Sequence, residues 1–525
     1  MTSVPVAQAE RPAPAAHHIL TRKARYVIAG LAIAAFATAI VAGIYLANAH
    51  WPYRYRVVKP LLEGVLGSQI TIARYHRTYF PHPGFVAEGI TLRRNSAPDL
   101  PPLGSVKQLA VEGTWADLLM LRERVQLVDI QGLHLVIPAP GSRANKEDFP
   151  PGSASDFAGP ETLIEQLKIH DGLLDLMRPN GSRFSFPVRE LDIRDFQKGR
   201  ANTYAIVMEN AKPWGHIRSS GTFGPLNAPN LGATPVSGTY SFSSVRLGDI
   251  GELHGTLNSW GTFRGALAAM EATGAAETSD FSVAQGQPAP LSGEIHCAVN
   301  GLTGELVIHQ VAVRIGATVA QAAGGVVGSP KITNVDFDAK GRTQDLLLPF
   351  VHSSVPIAGP VWLRGHAWVG PPQEGISFLQ RLRVDVVFAA PAEIATNATT
   401  EKKLSTFSAR AQKHDETPNA DAVSSLEGAA HIRDGVVSSP NLTFKVAGAQ
   451  AKLAGTFNLH NEDVNLAGNV TMEAGISHAV TGFKSALLKP FDPLFKKGGA
   501  GAVVPVRVSG GPGQYKVTQN LLHKK

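Results

Sequence analysis

Most of this chain is written in a period of two. Leu442, Phe444 and Val446 alternate with Thr443 and Lys445, and Ala449, Ala451, Leu453 and Phe457 are spaced in the same way around Gln450 and Lys452. Val464, Leu466, Val470 and Met472 are interleaved with Asn465, Asn469, Thr471 and Glu473. Successive side chains of a strand point to opposite faces, so each segment reads as a strand with one dry face and one wet face. The pattern returns upstream: Leu382, Val384, Val386 and Phe388 oppose Arg381, Arg383 and Asp385, and Val335, Phe337 and Ala339 oppose Asn334, Asp336 and Asp338. Tyr204, Ile206 and Met208 form a similar segment. Residues 460–463 and Gly448-Ala449 supply turns, which predicts an antiparallel meander. Helical stretches are fewer, at 59–66, 162–169 and 477–488. The expected fold is mainly β, with many amphipathic strands and a few short helices.

One segment breaks this pattern. Val27 to Ala47 are 21 consecutive residues without a charge, preceded by Arg22, Lys23 and Arg25 and followed by Arg54 and Arg56. At about 1.5 Å per residue such a helix spans a hydrocarbon core of about 30 Å. Tyr26, Trp51 and Tyr53 stand near its ends, where amphipathic rings favour a membrane interface. Ala47-Asn48-Ala49 fits a signal-peptidase site, but the apolar run is longer than a usual signal core and follows a long leader. We therefore read a single-pass anchor at 26–49, a disordered cytoplasmic tail at 1–25 and an exported body.

The body has two stretches with loop composition. Residues 138–160 hold five prolines, and 389–423 are mostly polar. They divide it into 50–137, 161–388 and 424–525, or else they protrude from one continuous sheet.

The net charge of +7 is unevenly spread: residues 1–94 carry +8, residues 95–480 carry −8 and residues 481–525 carry +7. An acidic body with basic ends does not suit nucleic acid, and the ends suit an anionic membrane surface. A second membrane-facing candidate is the stretch 480–497, where Phe483, Leu487, Phe491 and Phe495 recur every four residues among lysines. Pro490 and Pro493 interrupt it, so packing against the end of the sheet fits equally well.

Little in the sequence points to chemistry. The single cysteine, Cys297, excludes an internal disulfide and a cysteine-based zinc site. The 18 histidines show no metal-binding spacing on any one element. His170, Asp171 and Asp175 could be a base with its orienting carboxylate, but their stretch reads first as turn and strand. We expect no enzyme, no cofactor and no metal.

Several local stretches do resemble a known family. They are Leu61-Leu62-Glu63, then Leu66 to Ile72 (LGSQITI), Phe80 to Phe85 (FPHPGF) and Gly89 to Leu92 (GITL), all following an N-terminal membrane helix. Near the other end are Gly455 to Leu459 (GTFNL), Gly468, Gly482 to Ser485 (GFKS) and Val504 to Gly510 (VPVRVSG). In this order they look like the AsmA-like proteins of bacteria with two membranes. The resemblance implies an inner-membrane anchor, a periplasmic body and a long curved antiparallel sheet whose apolar groove takes phospholipid acyl chains or supports outer-membrane biogenesis. The dry positions from Leu382 to Phe388 and from Leu442 to Met472 would line that groove. An envelope protein partner is compatible with it. The alternative is a structural or assembly-factor protein of the envelope, in which the dry faces meet as packed β-sandwiches.

Overall fold

A computed structural model describes residues 53–94, 102–138, 163–395, 424–472 and 503–519, apart from short breaks inside these ranges. The apolar run at 26–49, Trp51 and the stretch 480–497 with Phe483, Leu487, Phe491 and Phe495 lie outside the described residues. Among the described residues no helix is long and apolar enough to cross a membrane.

The first described elements are α1 (Tyr55–Leu66), β1 (Ser68–Thr78), β2 (Gly84–Arg94), β3 (Gly104–Glu112), a short α2 (Trp115–Leu119) and β4 (Arg124–Ile137). There follow β5 (Leu163–Met177), β6 (Arg183–Phe196), β7 (Asn202–Ala211), β8 (Trp214–Phe223), β9 (Pro235–Arg246) and the two-residue β10 (Leu253–His254). The middle holds β11 (Thr256–Ala266), β12 (Ala269–Val283), β13 (Ala289–Val299), β14 (Leu306–Ile315), β15 (Thr318–Val327) and β16 (Ile332–Arg342). After α3 (Thr343–Leu347) come β17 (Ile357–Ala358), β18 (Pro360–Val369), α4 (Phe378–Arg381) and β19 (Leu382–Ala395). The last strands are β20 (Ser424–Arg433), β21 (Val436–Val446), β22 (Ala449–Asn458), β23 (Val464–Met472), β24 (Val503–Gly510) and β25 (Lys516–Gln519).

All 25 described strands belong to one sheet. Apart from the short β10 and β17, which pair with β12 and β19, each strand pairs with its sequence neighbours, so the sheet is a long meander. It is curved and open, since β1 is paired only to β2 and β25 only to β24. One pair departs from the expected antiparallel pattern: β4 and β5 run parallel, with Val128 beside Leu167 and Ile130 beside Ile169. Parallel neighbours need a crossover of a dozen or more residues, and the proline-rich connection between Ile137 and Leu163 is long enough to make one. The expected helix at 162–169 is instead the start of β5. Its buried residues Ile164 and Leu167 have a helix-like spacing because the buried side changes parity along the strand.

Such parity changes line up across the first strands. Buried positions switch from Phe85 and Ala87 to Ile90 and Leu92 on β2, and from Val128 and Ile130 to Leu133 on β4. The switch points are Gly89 and Gly132, both at φ of 62°, and on β5 the next is Asp171 at φ of 51°. Left-handed residues in a strand flip the side chains that follow to the other face, so this part of the sheet is creased.

The closed core lies here. Val58 and Leu62 of α1 join Ile70, Phe85, Val106, Val128, Ile130, Leu167 and Ile169 in one cluster, and every one of these is almost fully buried. Glu63 ties the helix to β1 by accepting the main-chain N–H of Ile70 at 3.0 Å. Tyr53, expected at a membrane interface, is instead 1% exposed, with its ring 6.2 Å from that of Phe85. Its carbonyl accepts the hydroxyl of Tyr75 at 2.7 Å, and burial pushes the Tyr75 phenol well up.

Beyond β8 the ribbon winds. The segment after β9 meets the segment before β19: the main-chain N–H of Leu379 donates to Glu252 at 3.2 Å. These points are about seven strands apart along the ladder, roughly 34 Å of ribbon at about 4.8 Å per strand. In the same way Glu462, between β22 and β23, accepts the N–H groups of His352 at 2.6 Å and Ser353 at 3.3 Å, between α3 and β17. Burial opposes the ionised form of Glu462, but Ser353 and His352 hold its carboxyl below the usual range. A flat sheet could not bring such distant rims together, so one face is turned in on itself.

Candidate functional site

The inward face of the winding is largely apolar, with hydroxyl contacts between Tyr204 and Ser219 and between Tyr240 and Ser259 at its β7–β11 end. One line of directly paired residues runs through Gly221, Gly238, Phe263, Ala272, Cys297, Ile308 and Gly324, and continues through Val335, Ala367, Val384, Ile432, Val437, Phe457 and Val464. It crosses from β8 to β23 without a charged side chain. A parallel line joins Leu426, Phe444, Ala451 and Val470. Unlike the core under α1, this face is only partly covered: Phe263, Val335, Phe337, Phe444, Phe457 and Leu466 are half-buried. Burial pushes the Cys297 thiol up, and the Glu271 charge adds to it, so the thiol is held in its neutral form.

The residues expected to line a groove come together on this face. Val384 on β19 is in line with Phe457 and Val464, and Leu382, Val386 and Phe388 share its side of the strand. Leu442 pairs with Leu453 and Phe444 with Ala451, while Val446 pairs with Ala449. Leu466 lies between Gly455 and Val508, and Met472 ends β23 opposite Ala449. The sequence reading missed the matching positions on β12 and β15. There the inward residues are Ala272, Gly274 and Ala276, and Ala320, Ala322 and Gly324, too small to register as a hydrophobic period.

The outward face carries the charges. Asp336 accepts His366 at 2.7 Å, and Asp385 accepts His431 at 2.6 Å and Arg433 at 2.8 Å. The His431 hydrogen bond, and after it Arg433, hold the Asp385 carboxyl below its usual range. On β12, β13 and β14 three further groups, Glu271, His296 and His309, face one another in an exposed recess.

Among the described residues the most buried carboxylate is elsewhere. Asp175 on β5 has a side chain 2% exposed, and accepts Ser185 at 2.6 Å, His134 at 3.0 Å and Arg183 at 3.3 Å. A nucleophilic serine would have to bond the imidazole, whereas here serine and histidine both serve the carboxylate, so the group is a structural tie. His170 lies instead 3.9 Å from Asp129, and His170, Asp171 and Asp175 do not converge. Burial would raise the Asp175 pKa, but Ser185, His134 and Arg183 together hold it down. Its stabilising contribution is therefore present above the unfolded-state value of about 3.9 and is lost as pH falls through the lower folded value. Asp175→Asn is expected to cost about 1–3 kcal/mol at neutral pH, limited by the solvent contact of His134 and Arg183. Denaturation midpoints should show the gap from the wild type closing in acid.

No known protein family matches the chain, and no curated protein is detectably similar to it.

Proposed function

We propose that this chain is a membrane-anchored envelope protein that holds phospholipid acyl chains along its inward apolar face. The reading is supported by one observation above all: the charge-free line from Gly221 to Val464, half-open to solvent and backed by a charged outer face. An apolar surface of this extent either meets a partner or takes up an apolar ligand. Thirteen gaps between β8 and β23, at about 4.8 Å each, make it roughly 62 Å long along the ribbon. A surface without charge along its whole length suits carrying an apolar ligand. The anchor and the periplasmic placement come from the 26–49 run and from the AsmA-like resemblance. β-Sandwiches need two facing sheets, whereas the described strands make one.

A photoreactive phenylalanine analogue in place of Phe337 or Phe457 tests the reading in cells. Illumination should join phospholipid to these positions and leave outward positions Asp338 and Lys452 unlabelled. Equal absence of lipid at inward and outward positions would sink it and leave a lipid-free assembly role.

A further inference from the structure

Glu271, His296 and His309 come from three neighbouring strands and converge on the outward face. Nε2 of His296 and Nε2 of His309 each lie 3.4 Å from the same Oε2 of Glu271, and the two rings are 5.1 Å apart. A register slip makes this possible. His296 pairs with Gln310 and Cys297 with Ile308, which leaves His309 as an extra, unpaired residue. His309 and Gln310 are consecutive exposed residues, so the bulge turns His309 to the side of His296.

What sets the cluster apart is that two imidazoles share one carboxylate oxygen. Elsewhere on this face His366 meets Asp336 at 2.7 Å, His431 meets Asp385 at 2.6 Å and His216 stands 3.8 Å from Glu209, each as a single histidine–carboxylate pair. At 3.4 Å the Glu271 contacts are long for a hydrogen bond. They do match two edges of a tetrahedral metal site, and all three ligand atoms lie within 4.8 Å of one another. With zinc-to-ligand distances of about 2.0–2.1 Å, the edge between two ligand atoms is about 3.3–3.4 Å.

We propose that Glu271, His296 and His309 bind a divalent ion of the zinc class on the outer face of the sheet. Two imidazoles and one carboxylate leave a fourth position open. Arg264 stands directly opposite Glu271 in the register and lines the same recess, so the fourth ligand is water or an anionic oxygen. The ion would join β12, β13 and β14 where the bulge interrupts their ladder.

The test uses the full chain in detergent, stripped of metal with a chelator and titrated with Co2+. The expected result is one bound ion with the strong visible absorption of a tetrahedral site, displaced by Zn2+. His296→Ala and His309→Ala should each weaken binding at least tenfold and abolish that absorption, with circular dichroism unchanged. His366→Ala, on the same face but paired with Asp336, should bind as the wild type does. The proposal is overturned if the wild type shows no tetrahedral spectrum, if the His296 and His309 variants bind like it, or if His366→Ala loses as much.

Discussion

Phe444→Glu and Leu466→Glu are expected to leave the protein folded while removing most of its bound lipid. Both side chains lie on the inward face and are half-buried, so a carboxylate placed there keeps contact with water. The cost to folding is the lost apolar contact, about 1–2 kcal/mol, small beside a typical margin of about 5–15 kcal/mol. The cost to lipid is larger, because an ionised group facing an acyl chain has no partner and no water once the chain is in place. Phospholipid crosslinked at Phe337 or Phe457 should fall severalfold in either variant. The control lies in the closed core. Val128 and Leu167 are fully buried in the N-terminal core cluster, and Val128→Glu or Leu167→Glu forces a charge into a dry site. Those variants should unfold the N-terminal region at a cost of several kcal/mol. If Phe444→Glu melts as they do, the inward face is packed core and lipid carriage falls with it.

The contrast between these two regions was only half legible in the sequence. Alternation along β19, β21 and β23 was plain because most of their inward residues are large, and the structure places those residues on one face. It was hidden on β12 and β15, where alanine and glycine fill the inward slots, and no period survives when the dry residues are as small as their neighbours. β5 misled for the opposite reason. A change of buried side within the strand gives Ile164 and Leu167 the spacing of a helix, and only pairing with β4 and β6 reveals the strand. The Glu271, His296 and His309 cluster lay beyond any local reading. Its members sit on separate strands, and a single extra residue in β14 decides whether their rings meet.

Substituting two glycines of the inward face should have a large effect. Gly261 and Gly274 are paired on β11 and β12, with inward side-chain positions that face backbone rather than space. A Cβ on Gly261 would stand 2.6 Å from the Cα of Gly274 and 2.9 Å from the Tyr240 ring, and would also press on the Thr273 carbonyl. A Cβ on Gly274 would meet the Tyr240 hydroxyl at 2.5 Å. Backbone atoms of a neighbouring strand cannot step aside as a flexible side chain can, so relief requires the strands to part and the bend to open. Gly261→Val is therefore expected to cost about 1–3 kcal/mol, the range for overpacking, and the double variant with Gly274→Val more than either change alone. Hydrogen exchange should quicken along β9, β11 and β12 while the core beneath α1 stays protected. Thr262→Val, one residue away on the outer face, loses only a hydroxyl contact with Thr273 at 3.2 Å and should shift stability by less than about 1 kcal/mol. If Gly261→Val is as harmless as Thr262→Val, these glycines do not set the curvature. If exchange quickens and lipid crosslinking at Phe337 falls together, the bend and the lipid-holding face are one feature: the tight inward turn permitted by Gly261 and Gly274 is what keeps the apolar side from lying open to water.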